Sequence, residues 1–240
     1  MQLTELPTPQ VLIDRGRLMA NIKRMQAVAT AGGLTLRPHT KTHKSPRIAK
    51  WQLEQGAAGI CCAKVSEAEV FADAGISDIR LPYPINPFSA TRVMALMDRV
   101  TLSLAIDHST VAEQWSEVMS ARGRRLDVLV KVDVGYQRCG IAPEMTAAVG
   151  FLSHVTTLPG LRLRGLLSHA GQSYDVHSAE ELAAVAKDEA ETLRVLATGA
   201  RQAGVKIDEI SVGSTATAMT GSGNSMRSSV IISFRSQSVS

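Results

Sequence analysis

The residues best able to do chemistry crowd into one short stretch. From Leu34 to Pro46 the sequence reads LTLRPHTKTHKSP, and Arg37, His39, Lys41, His43 and Lys44 occupy eight consecutive positions. The stretch follows the turn-forming pair Gly32-Gly33 and opens with an apolar, β-like start. Such a density of cations suits a solvated basic patch, a nucleic-acid contact, or a lysine that anchors a cofactor through an aldehyde. Three other clusters bear on the choice: Arg138 after VKVDVG, His169 to Tyr174 after LRGLLS, and Gly213-Ser214-Thr215 after EIS.

Lys41 is the group whose chemistry depends most on where it sits. Only a neutral amine attacks an aldehyde, and desolvation beside Arg37 and His39 disfavours the ammonium form. On an exposed loop the same lysine would be a charged surface residue, as most lysines are. Gly213, Ser214 and Thr215 are small enough for backbone N–H groups and hydroxyls to close around a phosphate. Gly-Ser-Thr is also ordinary loop composition, so the two clusters gain meaning only together. No Walker GK[ST] and no G-x-G-x-x-G occur, which excludes the usual nucleotide fingerprints.

The elements that must position these groups alternate along the chain. An amphipathic helix is predicted over Arg15 to Ala31, with Leu18, Ile22, Met25 and Val28 on one face. A strand follows at LTLRPH, a helix at Pro46 to Gln55, and the apolar run AAGICCAKV. A helix opens at Ser66, where SEAE fits a capping box, and DIRLPYP reads as a strand. Then come a helix at PFSATRVMALMDR, a strand at VTLSLAID, and the helix STVAEQWSEVMSARG with Gly123 at its C-cap. LDVLVKVDVG, a helix over Pro143 to His154, and LRLRGLLSHAG continue the rhythm. The longest helix is capped by Ser178 with Glu181, and its stripe runs through Leu182, Val185, Leu193 and Leu196. IDEISVGST supplies a seventh strand. Apolar strands separated by helices predict a parallel sheet covered on both faces, which fits a (β/α) barrel better than an open doubly wound sheet. In either architecture chemistry gathers at the carboxyl ends of the strands, where all four clusters fall.

Composition narrows the classes. The 240 residues are 45% hydrophobic and 4% aromatic, with a net charge of +4 spread along the chain. That argues against a nucleic-acid surface, which needs a denser basic stripe interleaved with aromatics. The three cysteines are odd in number, and the adjacent Cys61 and Cys62 would point to opposite faces of a strand, so reduced buried thiols are predicted. No CxxC, signal-like start or membrane-length apolar run of ~18 residues is present, and a cytoplasmic protein is predicted.

Four stretches in order, RPHTKTHKSP, GICCAKVSEAEVFADAGI, VLVKVDVGYQRCGI and EISVGSTATA, carry a resemblance. From about Leu6 to Met219 the chain resembles the D-threonine aldolase and D-serine dehydratase family, pyridoxal-phosphate enzymes with an alanine-racemase-like barrel. The resemblance implies that Lys41 bonds the cofactor covalently and that Arg138 faces its phenolic oxygen or ring. It implies that His169, Gln172, Ser173 and Tyr174 lie beside cofactor and substrate, and that Gly213, Ser214 and Thr215 hold the phosphate. His39 and His43 take base or electrostatic roles. The implied reaction cleaves or dehydrates a β-hydroxy D-amino acid. The best match is D-threonine to glycine and acetaldehyde; the alternatives are D-serine or 3-hydroxy-D-aspartate dehydration, or cofactor binding without turnover.

The family also implies a homodimer and a divalent metal, manganese or zinc, held by a histidine and a cysteine or aspartate of a C-terminal β-domain. Those ligands are not found in this sequence, so no metal residue is assigned. The tail MRSSVIISFRSQSVS departs from the pattern where RPGNYVF-like residues would stand. The chain is accordingly read as a barrel over residues 1–225 with an aberrant tail over 226–240. The barrel is expected to be incomplete at its last strand and to lack the β-domain. One hypothesis for the tail is a shifted reading frame, in which the bases encoding Val230 to Phe234 would read Gly-Asn-Tyr-Ile-Phe; sequencing the source DNA tests it.

Overall fold

A computed structural model describes residues 3–218 and 230–235. Strand β1 (Thr35–Pro38) follows helix α1 (Arg15–Ala31), whose buried residues Ile22, Met25 and Ala29 lie on the face the spacing marked. The order continues α2 (Pro46–Glu54), β2 (Ile60–Cys61), α3 (Val65–Asp73), β3 (Asp78–Pro84), α4 (Ala90–Met97), β4 (Thr101–Ile106) and α5 (Ser109–Ser120). It ends β5 (Leu126–Lys131), α6 (Met145–Thr157), β6 (Leu161–Leu167), α7 (Ala179–Gln202), β7 (Glu209–Val212), α8 (Thr215–Ala218) and β8 (Val230–Arg235).

Strands β2 to β7 pair in parallel, each beside the next. β1 meets β2 through a parallel bridge between His39 and Cys61 and a bond from Ala58 N–H to Leu36 O (2.9 Å). β8 lies between β7 and β1 and runs antiparallel to both. The parallel barrel is thus incomplete at its last strand, as expected, and a reversed strand from the tail stands in the gap. The 225/226 boundary falls outside the described residues.

Each strand splits its residues between two environments, as a period of two requires. In β5, Leu126, Val128 and Val130 join the core beneath the helices, while Asp127, Leu129 and Lys131 alternate with them toward the barrel interior. β3 does the same with Ile79 and Leu81 against Asp78 and Arg80, and β7 with Ile210 and Val212 against Glu209 and Ser211. Ala112, Trp115, Met119, Leu152, Leu193 and Leu196 complete the helix–sheet layer. β6 crosses β7 so closely at Gly165 that a Cβ there would run into the Glu209 carbonyl, and the β5–β6 register shifts beside it.

Two predicted caps differ. α3 begins at Val65 with Lys64 as an N-cap that makes no side-chain bond, so the Ser66 box is not formed. Glu69, its would-be partner, bonds Arg92 of α4 instead (2.6 and 2.8 Å). α5 ends at a C-cap on Ala121, and Gly123 takes its left-handed turn two residues later. The box of Ser178 with Glu181 is made in full.

Candidate functional site

The LRPHTKTHKSP stretch leaves β1 as a short 3-10 turn, Thr40–Thr42, capped by His39, whose Nδ1 accepts the Lys41 N–H (3.2 Å). The turn separates the two lysines. Lys44 faces away and pairs with Glu67, whereas Lys41 has no carboxylate partner among the described residues. Burial and then the Arg138 charge hold the Lys41 ammonium below its ordinary range. The desolvation expected of this lysine is present, but the cation beside it is Arg138 rather than Arg37, which turns to Asp78 at the other end of the barrel.

Arg138, His169 and a residue that sequence reading passed over, Lys131, meet Lys41 at the same end of the barrel. Lys131 ends β5, is 3% exposed, and its amine is lowered to about 8, chiefly by burial. Burial, then Lys41, His169, Lys131 and Arg138, push His39 down to about 3. Burial with Lys131 and Arg138 brings His169 to about 4. Both imidazoles are therefore neutral at pH 7, and their hydrogen bonds fix the tautomers. His39 Nδ1 accepts, so its Nε2 carries the hydrogen. His169 Nδ1 lies 3.4 Å from Gly213 O, an acceptor, so its Nε2 keeps the free lone pair.

The strand-end loops of β6 and β7 are gathered by a second residue the sequence reading missed. Glu189 of α7 is buried, and its Oε1 accepts from Ser168 Oγ (2.6 Å), Ala170 N–H (3.1 Å) and Gly213 N–H (3.2 Å). Burial raises its pKa against those donors. A carboxylate within an otherwise apolar helical stripe was the available signal. Next to it, the Ser173 and Ser214 hydroxyls sit 2.9 Å apart and Ser214 N–H donates to Thr217 Oγ1 (2.9 Å). Thr215 Oγ1 is buried with no hydrogen-bond partner among the described residues.

Gln172 and Tyr174 belong to one short turn, Gly171–Tyr174, but do different things. Gln172 Nε2 donates to Val134 O (2.7 Å), tying the loop after β6 to the loop after β5. Tyr174 lies tilted on His169, with ring centroids 6.3 Å apart.

His43 is not brought into the cluster. Its Nδ1 accepts Ser45 N–H (3.0 Å) and its ring faces Gln52 of α2, where burial keeps it uncharged more than that amide favours its charge. The cysteines are free as predicted, and burial raises Cys61 to about 11 and Cys62 to about 12. Thiols so placed are not nucleophiles.

The pattern of the alanine racemase N-terminal domain matches residues 13–230. The chain belongs to that family. Within it, this alanine-racemase-type barrel is 36% identical over 217 residues to a D-threonine aldolase of Arthrobacter sp, covering 90% of this chain and 57% of that protein. It superposes on the D-threo-3-hydroxyaspartate dehydratase from Delftia sp. HT23 with a TM-score of 0.87 at 34% identity, over 91% of this chain and 58% of that one. For the D-threonine aldolase from Filomicrobium marinum the TM-score is 0.85 at 31% identity, over 91% and 60%. The family reading of the sequence is thereby established. The chain spans 57–60% of the length of these relatives. No described helix is long and apolar enough to cross a membrane.

Proposed function

We propose that this chain is the pyridoxal-phosphate-binding barrel of a lyase acting on β-hydroxy D-amino acids, with D-threonine aldol cleavage as its activity. One observation carries the reading. Lys41, Lys131, Arg138, His39 and His169 converge on one barrel mouth with no ion-paired carboxylate among the described residues, beside a cup containing an unpartnered buried hydroxyl. Cations left unpaired while partly desolvated fit an anionic ligand. Pyridoxal phosphate, when bound, supplies a phosphate, an aldehyde and an electron-accepting ring.

Lys41, its amine already biased toward neutrality, is the residue to bond the aldehyde. Gly213, Ser214 and Thr215 would hold the phosphate, with the Thr215 hydroxyl still free to bond. Arg138 would face the ring, and Gln172 and Tyr174 would fix the loop that carries His169. His169 Nε2 can take a proton from a substrate hydroxyl, and His39 Nε2–H can donate to an anionic oxygen. Among the described residues no cluster of three or more His, Cys, Asp or Glu could hold a metal, so no step is assigned to one.

A second reading, dehydration of 3-hydroxyaspartate or D-serine with release of a keto acid and ammonia, is supported by the match to the Delftia dehydratase over 92% of this chain. Borohydride reduction with pyridoxal phosphate, followed by peptide mapping, tests the shared part. A pyridoxyl group on Lys41, absent from Lys41→Ala, is the expected result. A folded chain without it would overturn the reading. Products from D-threonine then choose: glycine with acetaldehyde, or 2-oxobutanoate with ammonia.

A further inference from the structure

The mouth of the barrel carries tyrosines that core packing does not explain. Tyr83, Tyr136 and Tyr174 are 43%, 40% and 49% exposed, yet each lies against Arg138, His169 or both. The Arg138 guanidinium carbon sits 5.5 Å from the Tyr83 ring centre and 5.1 Å from that of Tyr136. The Tyr136 ring is also edge-on to His169, at 6.1 Å and 84°, and Tyr174 lies tilted on the same imidazole. Three strand ends supply this arc: β3 gives Tyr83, the loop after β5 gives Tyr136 and Arg138, and the loop after β6 gives His169 and Tyr174.

The geometry points to Tyr83, Tyr136 and Tyr174 as positioning residues that aim Arg138 and His169, with Tyr136 shared between them. This inference rests on the proposed cofactor reading and adds the residues that orient its charged groups. An exposed arginine on its long stem loses considerable rotamer freedom when fixed, and it has no carboxylate here to hold it. Aromatic rings hold a guanidinium through its face, which leaves its N–H edge free for an anion. A salt bridge would occupy that edge instead. The rings are themselves anchored. Tyr83 stands between Pro82 and Pro84, which restrict its backbone. The Tyr136 ring lies on Gly171, where any Cβ would run into it. The same loops are joined by the Gln172 to Val134 bond, so the arginine and histidine loops are locked in register.

The sharing gives a test with a definite pattern. In the cofactor-free 240-residue chain, NMR reads the Arg138 Hε resonance, shifted by the neighbouring ring currents, and the His169 titration. Tyr83→Leu is expected to return Arg138 Hε toward its free-arginine position and leave His169 unchanged. Tyr174→Leu should move His169 alone, and Tyr136→Leu should move both. Phenylalanine at each position keeps the ring and should keep the wild-type resonances. In a pyridoxal phosphate titration Tyr83→Leu should weaken binding about two- to fivefold while Tyr83→Phe does not. If Tyr83→Leu leaves Arg138 Hε in place, or Tyr136→Leu moves only one group, the shared arc is overturned. If the resonance pattern holds but Lys41 never traps the cofactor, the arc stands and the cofactor reading fails.

Discussion

The two ends of the barrel treat charge in opposite ways. At the amino ends of the strands, arginines meet carboxylates: Arg37 with Asp78 (2.7 and 2.9 Å), Arg80 with Glu209 (2.7 and 2.9 Å), and Arg162 with Asp127 (2.5 Å). At the carboxyl ends Lys41, Lys131, Arg138, His39 and His169 crowd together with no ion pair among the described residues; the buried Glu189 carboxylate favours the Lys131 ammonium by its charge but gives its Oε1 to Ser168, Ala170 and Gly213. The contrast runs along single strands. β5 carries Asp127 at the paired end and Lys131 at the unpaired end, and β1 carries Arg37 before it releases Lys41. Where charge is matched within the chain it ties strands together across the barrel; where it is unmatched, the proposed anionic ligand would supply the missing charge.

The sharpest way to break this comparison is to unpair the floor. Arg80 is 4% exposed and bidentate to Glu209 across the barrel, with its Nε donating to Ser103 Oγ (3.0 Å). Glu209→Ala removes both carboxylate contacts of that buried guanidinium and should lower stability by about 3–5 kcal/mol in a urea titration. Adding Arg80→Met should restore a large part of it. A loss below about 1 kcal/mol would mean that the floor tolerates free charge as the mouth does, and the contrast would fail.

At the mouth the sign should reverse. Lys131 is buried with a lowered amine, so Lys131→Met relieves a desolvated charge and should stabilise the cofactor-free chain by about 1–3 kcal/mol at pH 7 while weakening phosphate-bearing ligands. The pH dependence carries the same sign. Between about 8 and the ordinary 10.5 the unfolded chain holds the extra proton, so wild-type stability should rise through that window. The variant should lose this rise. A destabilised Lys131→Met chain would show that the ammonium is held by partners, and the mouth would then resemble the floor.

Much of this architecture was legible beforehand, and the misses share a cause. Helix α7 and its capping box, the seven alternating strands and the place of Lys41 just after a strand all rest on local spacing, which short-range sterics and capping enforce. Lys131 was hidden inside VLVKVDVG because strand alternation marks two faces without saying which becomes a barrel interior. Glu189 looked like one more charge on a long helix until the β6 and β7 loops were folded over it. The box at Ser66 failed because Glu69 found a bidentate partner on the next helix, where tertiary pairing outweighs a local cap. The reversed direction of β8 leaves no mark on its residues, since the same alternation serves both senses of a strand.

The smallest effect separates the ends by proton uptake. His39 and His169 are held uncharged, at about 3 and about 4, while an unfolded histidine titrates at 6.5. Below that value the unfolded chain binds protons the folded mouth refuses, so stability should fall as pH drops from 7 toward 4. At pH 5 the loss should reach about 1–2 kcal/mol for His39, and His39→Asn should remove that part of the slope. His39 and His169 are shifted by burial and by the charges of the mouth, and Glu209 is not among the groups that act on them, so Glu209→Ala should lower stability at both pH values and leave in place the part of the slope that His39→Asn removes. Urea titrations at pH 5 and 7 on the wild type and both variants measure the two ends independently. A slope that survives His39→Asn unchanged would place the refused protons elsewhere and remove His39 from the set of unpaired groups that define the mouth.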